Sequence, residues 1–398
     1  MATMIKIGQL TASIVRVAEK SAVLARRIRS QESLLSLLVE EKCGDEKNKR
    51  FIQDFKTLAD VLVQELVRHE LGTQYPGLAD HIFGEETNKF TNASGTSIEV
   101  CIKDTAEETA KLLGVILDGN EEAAKALSEV IHSDVSMETD TKLQSLNTTI
   151  PLENTGIWID PIDSTAQYIH GFASVESEGT GVYYKGLQCV TVLIGAYDLN
   201  TGEAIAGVIN QPFCSYGDDG WVGRHLWGIS VGEVHLSYIP DLPNSISRKQ
   251  EKWAVMSTSE GIETRSKVET AFHVCFAAGA GYKVLCVCDQ LVSVYVLSQA
   301  TCFKWDTCSP HAILKALGGG IVDYKKALDI MRKHQGESEF KVIPLLEQCS
   351  IKYSEPDRND LAAGQKWSNS GGLIAFDTYQ SLIKILECLL GEDGQDEN

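Results

Sequence analysis

Trp158–Tyr168 reads WIDPIDSTAQY. The apolar start predicts a strand over Gly156–Ile159 that ends at Asp160. Pro161 then forces a turn, Asp163 lands on the same side as Asp160, and Ser164 and Thr165 begin a helix. Two hard carboxylates at a strand-to-helix corner suit magnesium, which prefers oxygen donors and few protein groups. Amides at a helix start suit a phosphate. Taken alone, the same residues also fit a plainer arrangement, with Asp163 as a helix cap and Asp160 in a solvated turn.

Working outward, three more acidic positions stand near local structure signals. Glu85-Glu86 follows Gly84 at the end of a short strand within His81–Phe90. Asp306 follows Trp305, just ahead of a helix predicted over Ser309–Leu317. Asp60 lies on an early helix beside Lys56-Thr57, in a run predicted from the Asp54 region through Leu66. Singly these read as a solvated pair, a cap and a surface charge. Together they are what an oxygen-rich centre for several cations needs, carboxylates gathered from distant segments. Ala277–Lys283, AAGAGYK, offers small residues for close approach of a ring and a lysine for an anion.

The chain has 398 residues with 43% hydrophobic and 23% charged content, an ordinary globular composition that suits two lobes. No apolar run reaches the roughly 20 residues of a membrane span. Leu10, Ile14, Val17, Leu24 and Ile28 recur at helical spacing among Lys20, Arg26, Arg27 and Arg29, which reads as a first helix on the core rather than an organelle address. Eleven cysteines with no secretion signal point to a reducing, cytoplasmic setting, and no C-x-x-C pair supports structural zinc. The sequons at Asn92 and Asn147 carry little weight there. A net charge of -19 argues against nucleic acid. It leaves room for a small anion, because carboxylates loaded with cations become locally positive.

Between the acidic sites, Thr105-x-x-Glu108 reads as a capping box for a helix stopped at Gly119, followed by a helix over Glu121–Ile131 and a surface loop over Ser133–Pro151. Strands are predicted at Gln188–Tyr197 and Ala204–Ile209, and a strand or hairpin at Trp227–Tyr238. Pro240–Gln250 is the candidate boundary. Beyond it, strands at Trp253–Met256, Ser293–Leu297 and Gly371–Phe376 alternate with a helix at Glu260–Ala271 and an apolar run at Val284–Cys288, which predicts an α/β unit. The expected division is an α+β domain at 1–243, carrying an insert at about 91–150, and an α/β domain at 244–398.

The ordered set KTLAD (Lys56–Asp60), GEE (Gly84–Glu86), DPIDST (Asp160–Thr165) and WDTCSPHAILKALGGG (Trp305–Gly320) resembles the lithium-sensitive, magnesium-dependent phosphatase superfamily of inositol monophosphatase, bisphosphate nucleotidase and fructose bisphosphatase. Ser164 followed by Gln167-Tyr168-Ile169, where monophosphatases and nucleotidases usually carry glycine at the serine position, and the long insert after Glu86 are most similar to the branch that removes the 1-phosphate of inositol polyphosphates.

The resemblance implies a layered α-β-α-β-α sandwich. It implies two or three magnesium ions: Glu85, Asp160 and the Ile162 carbonyl around one, Asp160, Asp163 and Asp306 around another, with Glu86 in support and Asp60 near a further, weaker ion. Thr165, hydrogen-bonded to Asp60, would orient the attacking water, with no covalent phosphoenzyme. Substrate contacts would fall on Asp163, Ser164, Thr165, Ser257, Ser259, Gly279, Ala280 and Lys283. It further implies lithium inhibition, a monomer, and a small phosphorylated inositol as partner rather than nucleic acid or membrane. A 3'(2'),5'-bisphosphate nucleotidase and a silent phosphate-binding protein of the same fold are the rival readings.

Two other signals lead elsewhere. Gly228–Gly232 matches G-x-S-x-G, but Glu233–Leu236 continues in strand-like alternation where a nucleophile elbow needs a helix. No cysteine has the arginine spacing of a cysteine phosphatase, and His170 and His311 read as structural or solvated rather than as bases.

Overall fold

The structure, a computed structural model, describes residues 3–30, 39–42, 55–92, 94–135, 137, 140–172, 174–177, 179–242, 252–356 and 365–391. Most of the expected boundary at Pro240–Gln250, Asp54 and the tail beyond Gly391 lie outside them.

Two sheets alternate with three helical layers. The first sheet runs, in spatial order, Val234–Tyr238, Gly220–Val231, Ala204–Gly217, Thr191–Asp198, Thr155–Asp163 and Ile82–Gly84. All its pairs are antiparallel except the last. The second runs His273–Phe276, Trp253–Met256, Val294–Leu297, Leu373–Phe376 and Gly320–Asp323, with only Leu373–Phe376 antiparallel to its neighbours.

Period-two side-chain alternation builds the layers. Ile157, Ile159, Val192, Ile194, Ala206 and Val208 pack with the outer helices Ile7–Arg29 and Leu58–Gln74. Trp158, Leu193, Tyr197 and Ile209 point the other way, onto the middle helices Ala280–Cys288 and Lys304–Ala316. In the second sheet Val255, Tyr295, Leu297, Ile321 and Ala375 face those middle helices, while Ala254, Met256, Val294, Val296, Val322 and Ile374 face Tyr324–Lys333 and Tyr379–Leu390. The order is helix, sheet, helix, sheet, helix, as the resemblance implied. Each large apolar side chain removed from water contributes roughly 1.5–3 kcal/mol before the cost of ordering it.

A row of glycines lets the middle helix lie close. Gly195, Gly207 and Gly228 are register partners on three adjacent strands. A Cβ at Gly207 would sit 2.1 Å from the Ser309 carbonyl oxygen, one at Gly195 2.4 Å from the Ser309 nitrogen, and one at Gly228 2.5 Å from Ile313 Cα. Ser309 Oγ donates to the Val208 carbonyl at 2.7 Å across the same contact.

Several local expectations shift. The early helix is Leu58–Gln74, preceded by a strand Phe55–Thr57. Val284–Cys288 belongs to a helix, Ala280–Cys288, rather than standing as an apolar run. Gly320, the last residue of the WDTCSPHAILKALGGG motif, opens a strand, Gly320–Asp323. In the insert, the helices Ala106–Ile116 and Glu121–His132 form, the first capped by Thr105. Within the expected loop, Thr149–Pro151 pairs with Met4–Lys6 and Thr141–Ser145 is helical. No described helix is long and apolar enough to cross a membrane.

Candidate metal centre

Asp160 and Asp163 are an odd number of residues apart, so a regular strand would aim them at opposite faces. The strand does not end at Asp160, and Pro161 does not turn it; it continues from Thr155 to Asp163. Its register against the next strand pairs Thr191 with Asp163 but Leu193 with Asp160, so Pro161 and Ile162 together oppose Val192. This bulge supplies the extra residue that returns both carboxylates to one face, and it tolerates a proline that no regular ladder would. Ser164 then takes a left-handed conformation (φ 71°), a region that glycine enters freely and serine enters at a cost. The helix behind it, Thr165–His170, is six residues long and begins one residue later than expected.

Asp306 lies inside the first turn of Lys304–Ala316 rather than ahead of the helix, and its Oδ2 accepts from the Phe303 nitrogen at 2.5 Å. Asp60 has the same position in its own helix, where Oδ2 accepts from the Thr57 nitrogen (2.7 Å) and hydroxyl (2.6 Å). Each of these aspartates fastens its own helix start with one oxygen and leaves the other for the site. Asp60 Oδ1 accepts from the Thr165 hydroxyl at 3.3 Å, and that hydroxyl also lies 3.0 Å from the Ile162 carbonyl.

One carboxylate oxygen each from Asp160, Asp163 and Asp306 lie within 4.8 Å of one another, and all three residues are buried. Asp163 is seated by the nitrogens of Ala280 and Tyr282 and by the Thr191 hydroxyl, each at 3.3 Å. Glycine is required on that side, because a Cβ at Gly279 would come within 2.6 Å of Ser164 Oγ and 2.8 Å of Asp163 Oδ2. Glu86 is held by its backbone, its nitrogen donating to Gln64 Oε1 (3.0 Å) and its carbonyl accepting from Gln64 Nε2 (2.6 Å). Lys42 meets Glu85 at 2.7 Å and Glu86 at 2.5 Å.

Burial sets the electrostatics. Loss of water pushes Asp60 up to about 6, Asp306 to about 7 and Glu86 to about 8, with the Lys42 charge opposing the rise at Glu86. Asp160 rises well above the usual carboxylate range, first through burial and then through the charges of Glu85, Asp163 and Asp306. Asp163 rises through burial against the pull of Lys283. At about 7 and 8, Asp306 and Glu86 are not kept fully ionised near neutral pH by protein groups alone. Divalent cations would hold them ionised. The donor set fits magnesium, since the converging atoms are carboxylate oxygens and Asp160 Oδ1 is buried with no hydrogen-bond partner.

The cluster opens into a cavity of about 710 Å³ whose wall includes Glu85, Glu86, Asp160, Ile162, Asp163 and Asp306. Ser164, Thr165, Ser257, Ser259, Gly279, Ala280 and Lys283 share that wall, so the residues expected to touch substrate come together there. Asp60 lies behind it, fully buried, joined through Thr165. Glu260 braces the Ser257–Ser259 turn: its nitrogen donates to the Ser257 carbonyl (3.1 Å), and its carboxylate accepts from the Ser298 nitrogen (3.1 Å) and hydroxyl. Lys283 Nζ is already bound to the carbonyls of Gly279 (2.6 Å) and Ala277 (3.3 Å).

Sequence reasoning missed Lys42, Gln64, Arg68, Lys366 and Trp367; only Gln64, one helical turn after Asp60, had a positional hint. Outside the cavity, the G-x-S-x-G segment joins two strands, Gly220–Val231 and Val234–Tyr238, as its context predicted. His311 is buried against the Tyr353 hydroxyl at 2.9 Å, a structural role.

Comparison with known proteins agrees with this architecture. The chain is 44% identical over 393 residues to inositol polyphosphate 1-phosphatase of Mus musculus, covering 94% of this chain and 95% of that protein. It is 43% identical to the protein of that name from Homo sapiens, with the same coverage. Similarity to human 3'(2'),5'-bisphosphate nucleotidase 1 is 29% over 328 residues, covering 79% of this chain and 83% of that one. Among solved structures, the extragenic suppressor protein suhB from Bartonella henselae shares the fold at 13% identity with a TM-score of 0.51, covering 97% and 99% of the two chains. The profile of the inositol monophosphatase family matches residues 13–344, and the chain belongs to that family.

Proposed function

We propose that this protein is a magnesium-dependent phosphatase that removes the 1-phosphate of inositol polyphosphates such as inositol 1,4-bisphosphate and inositol 1,3,4-trisphosphate. The observation that carries the reading is the approach of Asp160, Asp163 and Asp306 within 4.8 Å, with Asp160 Oδ1 unpartnered, on the wall of a cavity that Ser164, Thr165 and Lys283 share. The similarity to inositol polyphosphate 1-phosphatases over 94% of the chain supports the substrate class.

In this reading Asp160, Asp163, Asp306, Glu85 and the Ile162 carbonyl hold two ions, with Glu86 in support and Asp60 close to a third. Bound magnesium would supply the Lewis-acid chemistry, neutralising phosphoryl and leaving oxygens and making water more acidic. The chain's own residues orient the reaction. Thr165 Oγ1 directs its proton toward Asp60, which leaves its lone pairs to accept from the attacking water and aim that water at phosphorus. Ser164 and the backbone at Gly279 and Ala280 receive the scissile phosphate, while Ser257 and Ser259 face the ring. Lys283 adds positive charge from beneath, through a side chain already fixed by two carbonyls.

Residues 1–243 would carry most ligands, and residues 244–398 would bring Asp306 and the substrate wall. Lithium inhibition, a monomeric state and a cytoplasmic location belong to the same reading; every cysteine among the described residues is a free thiol. The test is phosphate release from inositol 1,4-bisphosphate and adenosine 3',5'-bisphosphate, each with magnesium and with a chelator. Preference for the inositol substrate, abolished by chelation, is the expected result. Preference for the nucleotide would make the protein a nucleotidase, binding without release a silent receptor, and release persisting in chelator would end the metal mechanism.

A further inference from the structure

We infer that Lys366 and Trp367 form a second anion subsite that selects substrates carrying a phosphate beyond the one cleaved, an inference that rests on the function proposed above. Both residues line the cavity. They are fixed against the acidic cluster: the Lys304 nitrogen donates to the Trp367 carbonyl at 3.0 Å, and the Asn369 nitrogen donates to the Cys302 carbonyl at 2.7 Å. Asn369 Nδ2 adds a bond to the Phe303 carbonyl at 3.1 Å. The segment is therefore tied to the start of the helix that carries Asp306.

Trp367 continues an aromatic wall. Its ring meets Trp158 edge-on at 4.9 Å, Trp158 lies 5.9 Å from Trp305, and Trp305 stacks on Phe303 at 4.7 Å. Trp158 is two residues from Asp160 and Trp305 is adjacent to Asp306, so this wall starts beside the cluster and leads away from it. It offers an apolar face to a polyol ring, with a cation at its far end.

The other cations of the cavity have partners. Lys42 is held by Glu85 and Glu86, Lys283 by two carbonyls, and Arg68 lies 3.8 Å from Glu65. Lys366 is half-buried, has no carboxylate partner among the described residues, and rests 5.3 Å over the Trp367 ring. A lysine held on an aromatic face at a cavity wall keeps its ammonium for an incoming anion.

The test compares wild type, Lys366→Met and Lys366→Arg on inositol 1-phosphate and inositol 1,4-bisphosphate with magnesium, after thermal melts establish that the variants fold alike. Lys366→Met should raise KM for the bisphosphate about tenfold, leave kcat within about twofold, and leave KM for the monophosphate nearly unchanged; Lys366→Arg should restore most of the loss. Equal effects on both substrates, or none on either, would overturn the inference while wild-type turnover of the bisphosphate left the proposed function standing. A wild-type protein inert toward the bisphosphate would sink both.

Discussion

Replacing Asp160 with asparagine should make the metal-free protein more stable while removing its response to magnesium and its activity. Oxygens of Asp160, Asp163 and Asp306 lie within 4.8 Å of one another. At that distance, with an effective dielectric of about 20, each pair of ionised carboxylates repels by about 3.5 kcal/mol. Asp160 takes part in two such pairs, so full ionisation at that separation would cost about 7 kcal/mol. Protonation already avoids part of it, since burial holds these carboxyls well above their usual range. A gain of about 1–3 kcal/mol remains reasonable, which for a chain this long is a few degrees in Tm. The same change removes the proposed shared ligand, and several kcal/mol of charge stabilisation at the reacting phosphate corresponds to roughly a thousandfold or more in kcat. Scanning calorimetry in chelator and in millimolar magnesium, with phosphate release on the same samples, reads all three effects. A variant that melts lower in chelator, still gains stability from magnesium and keeps near-normal turnover would refute the reasoning.

Other outcomes follow from the same geometry. Asp60, Asp306 and Glu86 have folded-state pKa values raised to about 6, 7 and 8, so the unfolded chain loses their protons first. Their contribution to stability is intact below about pH 4 and is lost as pH rises through 6 to 8; Tm in chelator should fall over that window, and magnesium should flatten the fall. Thr165→Ala should lower kcat by one to three decades with little change in KM, because it removes the hydroxyl proposed to orient water through its bond to Asp60; an equal loss in binding would count against that role. Gly207→Ala drives a Cβ to within 2.1 Å of the Ser309 carbonyl and should cost about 1–3 kcal/mol in urea unfolding, while Gly217→Ala, with open space around it, should cost far less.

Much of this was legible from the chain. Near-continuous apolar runs at Gly156–Ile159 and Gln188–Tyr197 specify strands buried on both faces, and oxygen donors at four separated motifs point to the proposed centre. The bulge at Asp160–Asp163 was not legible, because it is a property of two strands in register and Pro161 reads locally as a turn. Asp306 looked like a residue before its helix because Ser309-Pro310 reads as a cap followed by a first-turn proline; the helix instead starts at Lys304 with Pro310 inside it, where the glycine row and packing against two sheets override that signal. Lys42, Lys366 and Trp367 carry no local signature at all. They reach the cavity only through tertiary placement, Lys42 by its ion pairs and the other two by the clamp on Cys302–Lys304.

Whether the buried acids gather around cations is open to direct observation. Crystals grown with manganese in place of magnesium, measured near the manganese edge, should give anomalous peaks among Asp160, Asp163, Asp306 and Glu85. Well-ordered crystals whose maps show those four side chains with no anomalous density between them would contradict the account.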